Sequence, residues 1–445
     1  PVPRSRFPHL SRAAAVELKE RFRGCLLGLA VGDAVGTTVD GKKRGSFTPL
    51  TDMVGGGRYR LLPGQWTDDT SMALILAESL IEKGAFDPMD QGHRYWRWYS
   101  GGHLSSTGQS FNVGMSVRGA IAKFNPVPDD RRRMSDEPIR PFPGSVADWA
   151  AGNGCVVRVC PVAMFFHKYP EVALDKSVDS VKVTHGSEIA KDAVRYFTGL
   201  LLGCLLGVSK DELLSQRYCP IPNLYTGKPL VPEVDSVACG SFKTEDEAQI
   251  KAIGYAVSSL EAALWGFYHT DNFRDGCLKV ANLGNDSDTA AAIYGQLAGA
   301  YYGIGGIPEH WQKTCFVSPL VLLFADELHR LSFTIAEAPP LEVTESAYLR
   351  GIERYAGEVS EEYRNKKIRG YDVLEEASRD IVKRTYQGST QFQNVEEFVM
   401  AVKEVRASYL ALPPETQCDI IIADFDARWE KGQADYLNRP SRYFY

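Results

Sequence analysis

The sequence predicts an all-α fold. Apolar residues recur at helical spacing over long stretches, glycine and proline punctuate those stretches, and no alternating run of comparable length marks a strand. At 445 residues, with 44% hydrophobic and 24% charged side chains, the chain has an ordinary globular composition and buries a sizeable core without disulfide staples.

The elements follow in order. Residues 1–20 read as an N-terminal arm, in which Arg4, Arg6 and Arg12 are not followed by the apolar core of a signal peptide. Phe22, Cys25, Leu26 and Leu29 then make one face of a helix that ends at the Gly32-Asp33 step. Met72, Leu76 and Leu80 face the same way on a second helix, headed by Thr67-Asp68-Asp69-Thr70. Further stripes are Ile189, Ala193, Phe197, Leu200 and Leu201, then Ile253, Ala256, Val257 and Leu260, then Ala290, Ile293, Leu297 and Tyr301. Two proline-bearing stretches, 125–149 and 218–247, read as surface loops or insertions, because proline lacks the N–H that continues a helix. The helices together make one domain over residues 21–335. Pro339-Pro340 marks its end, and residues 341–445 read as an acidic helical C-terminal extension with the stripe Val395, Phe398, Val399, Val402, Val405 and Tyr409.

The charge balance, 50 Lys and Arg against 56 Asp and Glu, gives a net −6 and excludes a broad footprint for nucleic acid or an anionic membrane. The nine cysteines are irregularly spaced, include no CxxC pair, and mostly sit in apolar runs such as Gly24-Cys25-Leu26-Leu27. Reduced thiols in a cytoplasmic protein are the expectation. The longest apolar stretch, Phe197 to Val208, falls short of the about 20 residues a membrane-spanning helix needs.

The chemistry concentrates in two acidic knots, each heading a helix: Thr67-Asp68-Asp69-Thr70 and Asp286-Ser287-Asp288-Thr289. Asp and Thr at a helix start cap free N–H groups and oppose the positive end of the helix dipole. One oxygen suffices for that, whereas each knot carries two carboxylates. Packed together they repel unless cations neutralise them, and oxygen-only donors select magnesium, manganese or calcium over zinc. Four carboxylates and two threonine hydroxyls suffice for two ions. A third locus holds Asp33 and Asp40, for which a helix end and a turn are the plain alternatives.

Two glycine-bearing segments are candidate anion cradles: Asn112, Gly114, Met115 and Ser116, and Gly152, Asn153 and Gly154. Each is equally compatible with an ordinary turn. His185 heads a helix, where a structural histidine is the plain alternative. The aromatic run Tyr95-Trp96-Arg97-Trp98-Tyr99 reads as a packed helix with one wet side. No Gly-x-Ser-x-Gly elbow, Walker A loop or His-Glu-x-x-His occurs.

As a set, the motifs resemble the ADP-ribosylglycohydrolase family, particularly its bacterial dinitrogenase-reductase-activating type. The matching residues are Gly24-Cys25-Leu26-Leu27-Gly28 with Gly32-Asp33-Ala34-Val35-Gly36, Thr51 to Gly57, Gln65 to Leu74, Asn112-Val113-Gly114, Gly152-Asn153-Gly154, Thr184-His185, Gly284 to Thr289, and Gly299 to Gly303. The resemblance implies an all-helical domain with a cleft holding two Mg2+ or Mn2+ ions on Thr67, Asp68, Asp69, Asp286, Asp288 and Thr289. It implies hydrolysis of the bond from C1″ of a ribose to a protein side chain, arginine above others, with Asp69, Asp40 and Asp286 as catalytic residues. The Asn112–Ser116 and Gly152–Gly154 segments and His185 would bind the substrate. Where many relatives have glutamate after the Gly-Asp-x-x-Gly segment, this chain has Asp40, one methylene shorter.

An ADP-ribosylated protein is then the expected partner, with a cognate ADP-ribosyltransferase as a possible second. Alternative readings are a serine-linked, nucleic-acid or free ADP-ribosyl substrate, or an immunity protein that blocks a transferase by binding it.

Overall fold

The structure, a computed structural model, describes residues 12–124 and 140–334. Backbone contacts divide the chain into two units, Pro1–Ile335 and Ala336–Tyr445; the second, with the expected helical extension over 341–445, lies outside the described residues. The helices are α1 (Arg12–Gly36), α2 (Asp68–Lys83), α3 (Pro88–Gly101), α4 (Met115–Ile121), α5 (Cys160–Phe165), α6 (Pro170–Lys182), α7 (Glu188–Leu205), α8 (Lys210–Leu213), α9 (Leu224–Gly227), α10 (Pro232–Ala238), α11 (Ala256–Tyr268), α12 (Phe273–Ala281), α13 (Ser287–Tyr302), α14 (Glu309–Thr314) and α15 (Ser318–Ser332). Among the described residues there is no strand, only two isolated bridges, Gly56 with Leu61 and Ser145 with His185. No described helix is long and apolar enough to cross a membrane.

The core is built on α1 and α13. Gly24, Gly28, Gly32 and Gly36 recur every fourth residue and so share one face of α1. A Cβ on each would lie 2.2, 2.3, 2.1 and 2.3 Å from the carbonyl oxygens of Gly299, Gly295, Ala291 and Ser287 on α13. The two backbones therefore touch, antiparallel, from Gly24 to Gly36, about three and a half turns. This contact explains why α1 runs on to Gly36 instead of ending at Gly32-Asp33. Helical packing against α13 overrides the low propensity of those glycines. At the other end, α1 takes in residues 12–20, which the sequence places in an arm.

Two other expectations change. Ile253 lies outside α11 and is partly exposed, because α11 starts only at Ala256. The stretch 218–247 is not simply a surface loop: Pro232 opens α10, where a missing N–H does no harm, and Leu230, Val234, Val237 and Phe242 are buried. Of the stretch 125–149, residues 125–139 lie outside the described residues.

Helix α2 is capped at Thr67 and ended by Gly84 in the left-handed conformation. Helix α3 starts at a Pro88 capped by Asp87, whose carboxylate accepts from the N–H groups of Met89 and Asp90. The aromatic run on α3 is buried through Trp98, and its polar side is no wet surface. Asp90, Arg94 and Arg97 are buried, and Asp90 and Arg94 meet Ser79 and Glu78 of α2.

Candidate active site

Close packing of α1 on α13 brings the start of α13 beside the end of α1, and Asp33 connects both to α2. The Asp33 carboxylate, fully buried, accepts hydrogen bonds from the Thr67 N–H (3.0 Å), the Thr70 N–H (3.1 Å) and the Thr70 hydroxyl (2.6 Å). Asp33 thus does not end its own helix; it caps α2 across the interface. With the Thr67 hydroxyl accepting from the Asp69 N–H (3.4 Å) and the Thr67 carbonyl from the Ser71 N–H (3.4 Å), the Asp69, Thr70 and Ser71 N–H groups of the first turn of α2 are satisfied without the Asp69 side chain. Asp68 Oδ1 and Asp69 Oδ2 are buried and make no hydrogen bond.

The second knot is set by a left-handed turn at Gly284 and Asn285 (φ 69° and 56°). A Cβ on Gly284 would lie 2.5 Å from the Lys42 carbonyl, so glycine is required there. The Asn285 N–H donates to Lys42 O (2.7 Å) and the Gly41 N–H donates to Asn285 O (2.6 Å), which lays Asp40 alongside Asp286 and Asp288. Asp286 occupies the cap position of α13 but its side chain caps nothing. Instead Oδ2 accepts from Asn153 Nδ2 (2.6 Å), itself held by Ser259 Oγ (2.9 Å), while Asp288 Oδ2 accepts from Asn112 Nδ2 (3.1 Å).

Carboxylate oxygens of Asp33, Asp69 and Asp288 lie within 4.8 Å of one another, and so do those of Asp40, Asp286 and Asp288. Burial first, and the neighbouring aspartates second, push Asp68, Asp69 and Asp288 well above the usual carboxylate range. Burial also raises Asp286, and the Asn153 hydrogen bond opposes it. Asp33 and Asp40 are raised to about 6, in Asp40 against the pull of Arg58. Buried, crowded acids with unpaired oxygens fit hard divalent cations, whose charge would satisfy all of them at once. Thr289 lies among them, its N–H donating to Asp288 Oδ1 (2.9 Å).

Of the expected substrate-binding residues, Asn112 and Asn153 hold acids of the cleft. Gly152 and Gly154 pack on the His185 ring, where a Cβ on Gly152 would lie 3.2 Å from Nε2. His185 is buried, bonded through Nδ1 to Thr184 Oγ1 (2.8 Å), and burial together with Arg158 lowers it to about 3, so it stays neutral. It is two residues short of the α7 cap Ser187 rather than at the helix start. Gly114, Met115 and Ser116 lead into α4 at the surface, where Met115 is 86% exposed. The sequence reading missed Arg58, Tyr59 and Ser259. Only Arg58 carried a signal, the triple glycine Gly55-Gly56-Gly57 before it.

Comparison with known proteins gives the family. The ADP-ribosylglycohydrolase family profile matches residues 14–338. The chain is 36% identical over 309 residues to the ADP-ribosylarginine hydrolase Tri1 of Pseudomonas putida, covering 69% of this chain and 78% of that protein. It is 30% identical to the ADP-ribosyl-[dinitrogen reductase] glycohydrolase of Rhodospirillum rubrum, covering 66% and 89%. A solved structure described as an ADP-ribosylglycohydrolase-related protein complex superimposes with a TM-score of 0.60 at 37% identity, covering 71% of this chain and 99% of that one. The chain belongs to the ADP-ribosylglycohydrolase family and is a hydrolase.

Proposed function

We propose that this protein removes ADP-ribose from modified protein side chains, arginine above others, by hydrolysing the bond at C1″ of the attached ribose. The observation that carries this reading is the pair of buried, hydrogen-bond-free carboxylate oxygens of Asp68 and Asp69 where α2 begins, beside the acids heading α13 that Asn112 and Asn153 clamp. Arginine is favoured because relatives from Pseudomonas putida and Serratia proteamaculans, both 36% identical, are ADP-ribosylarginine hydrolases.

Thr67, Asp68, Asp69, Asp286, Asp288 and Thr289 would hold two divalent cations, Mg2+ or Mn2+. When bound, such ions anchor ribose hydroxyls and lower the pKa of a water. The residues of the chain do the rest. Asp69 takes the proton of the attacking water as its oxygen bonds to C1″. Asp40, raised to about 6, gives a proton to the leaving nitrogen as its bond to C1″ breaks. Asp286, held by Asn153, offsets the positive charge that builds at C1″. The Gly114–Ser116 and Gly152–Gly154 segments and His185 would meet the rest of the nucleotide.

An ADP-ribosyltransferase must supply such a substrate, and the free, buried thiols of Cys25, Cys155, Cys160 and Cys204 suit a reducing cytoplasm. The test is release of ADP-ribose from defined arginine- and serine-linked peptides, with Mg2+, with Mn2+ and after chelation. Metal-dependent release from the arginine peptide is expected. Release from serine alone overturns the linkage, and full activity after exhaustive chelation, with no metal detectable, overturns the metal reading.

A further inference from the structure

The six acids of the cleft, five of them buried and Asp286 partly so, have very little positive charge near them. Among the ion pairs of the described residues, the one that reaches Asp33, Asp40, Asp68, Asp69, Asp286 or Asp288 is Arg58 Nε to Asp40 Oδ2, at 2.7 Å. We propose that Arg58 is a resident counter-cation of the cleft, which competes with the divalent cation for Asp40 and so sets how tightly the cleft loads. The inference rests on the metal-dependent reading above.

Position is the first argument. Gly56 and Leu61 exchange backbone hydrogen bonds of 2.6 and 2.9 Å, closing a tight loop that presents Arg58. Gly57, with φ 65°, packs directly on Thr37 O, where a Cβ would lie 2.2 Å away. The loop is thereby pinned to the residues that follow α1, three positions before Asp40. Arg58 is held over Asp40 by backbone fit.

Reach is the second. Arg58 Nη2 also donates to Asn112 Oδ1 (2.7 Å), and Asn112 Nδ2 donates to Asp288, the acid shared by both groups of clustered oxygens. One guanidinium thus bears on Asp40 directly and on Asp288 through one amide.

The third argument is that Arg58 can leave without dismantling the site. Its side chain is 48% exposed and lies over the Tyr59 ring at 4.7 Å, so it has solvent and an aromatic face to move to. Asn112 Oδ1 also accepts from the Tyr59 hydroxyl (2.7 Å), which keeps the amide pointed at Asp288 after Arg58 departs. A positive group paired with Asp40, whose carboxylate is clustered with those of Asp286 and Asp288, repels an incoming divalent ion and must surrender its partner for that ion to draw on it.

A positioning role and a counter-charge role predict opposite signs. If Arg58 only orients ligands, its loss weakens metal uptake; if it competes, its loss strengthens uptake. The test strips the full chain of metal and titrates it with Mn2+, following free Mn2+ by electron paramagnetic resonance, with circular dichroism to confirm folding. Arg58→Gln is expected to bind Mn2+ about five- to tenfold more tightly, a modest figure because the guanidinium is half exposed. Arg58→Lys, which keeps the charge, is expected to stay close to wild type, and Asn112→Ala to bind more weakly. Unchanged or weaker binding by Arg58→Gln overturns the proposal, as does Arg58→Lys binding as tightly as Arg58→Gln. Wild-type protein that takes up no Mn2+ overturns the metal reading itself and the proposal with it.

Discussion

The two ends of α2 bury carboxylates in opposite states. At its start, Asp68 and Asp69 are buried with unpaired oxygens among other acids, and their carboxyls sit well above the usual range. Nearly three turns on, Glu78 is just as buried, yet its carboxyl sits well below that range. Burial pushes it up, but His103 and Arg94, with nitrogens each 2.8 Å from Oε2, pull it further down. Arg94 also bonds Asp90 (2.6 Å), which Ser79 and Lys83 support, so α2 and α3 share one satisfied ion network. Desolvation is therefore common to both ends, and the partner decides the outcome. Glu78 has its cations built into the chain, whereas Asp68 and Asp69 lack them. Buried charge completed by the protein holds helices together; buried charge left incomplete belongs to a site.

The largest expected break of this comparison is at the incomplete end. Asp69→Asn or Asp286→Asn should lower turnover by about a thousandfold or more, since each removes both a ligand and a charge facing C1″. The same substitutions should raise the melting temperature of the metal-free protein, because they relieve repulsion among the remaining acids. A fall in melting temperature would assign Asp69 and Asp286 to scaffolding.

At the complete end the signs reverse. Glu78→Gln removes one of the two buried carboxylates that face Arg94 and the carboxylate that His103 bonds, a loss of about 3 kcal/mol in stability. Denaturant unfolding should show that loss, while Mn2+ uptake by the folded protein stays near wild type. Equal stability of the variant would mean that the network does not fasten α2 to α3.

How much of this was legible in the sequence depended on range. The stripe Met72, Leu76, Leu80 and the excess acids at the two knots are local patterns, and they marked α2, α13 and the cleft acids directly. The length of α1 was hidden because its glycines look like breakers until α13 is laid against them. Asn112 and Asn153 read as parts of phosphate cradles, yet they hold Asp288 and Asp286, 176 and 133 residues away. Asp33 looked like the end of its own helix, although its carboxylate caps another. Glu78 and His103 gave no signal, since neither sits in a motif and their partnership exists only once α2 and the turn after α3 are packed. Residue type announces a site when like charges crowd in sequence, and it is silent about partners brought in by folding.

The smallest effect sharpens the contrast through pH. A raised carboxyl holds its proton in the folded state where the unfolded chain, at its ordinary value near 4, has lost it; its stabilising contribution is therefore lost as pH rises from about 4 to about 6, the value of Asp33 and Asp40. A lowered one, such as Glu78, behaves in the opposite sense: its contribution is present above the unfolded value and is lost as pH falls below it. Buried His93 and His167, lowered to about 4 and 3, likewise withdraw stability as pH falls below about 6.5. These trends partly cancel in a single melting curve. The shift in melting temperature on adding Mg2+ removes the contributions of Glu78 and the histidines, which are common to both samples. Protons compete with the cation for the raised acids alone, so that shift should grow between pH 5 and pH 7 as Asp33 and Asp40 lose their protons. Glu78→Gln should lower both curves and leave the difference between them unchanged, while Asp40→Asn should flatten its rise. A metal-induced shift that is constant across this range would show that the acids heading α2 and α13 carry no exchangeable proton, and the distinction between the two ends of α2 would have to rest on hydrogen bonding alone.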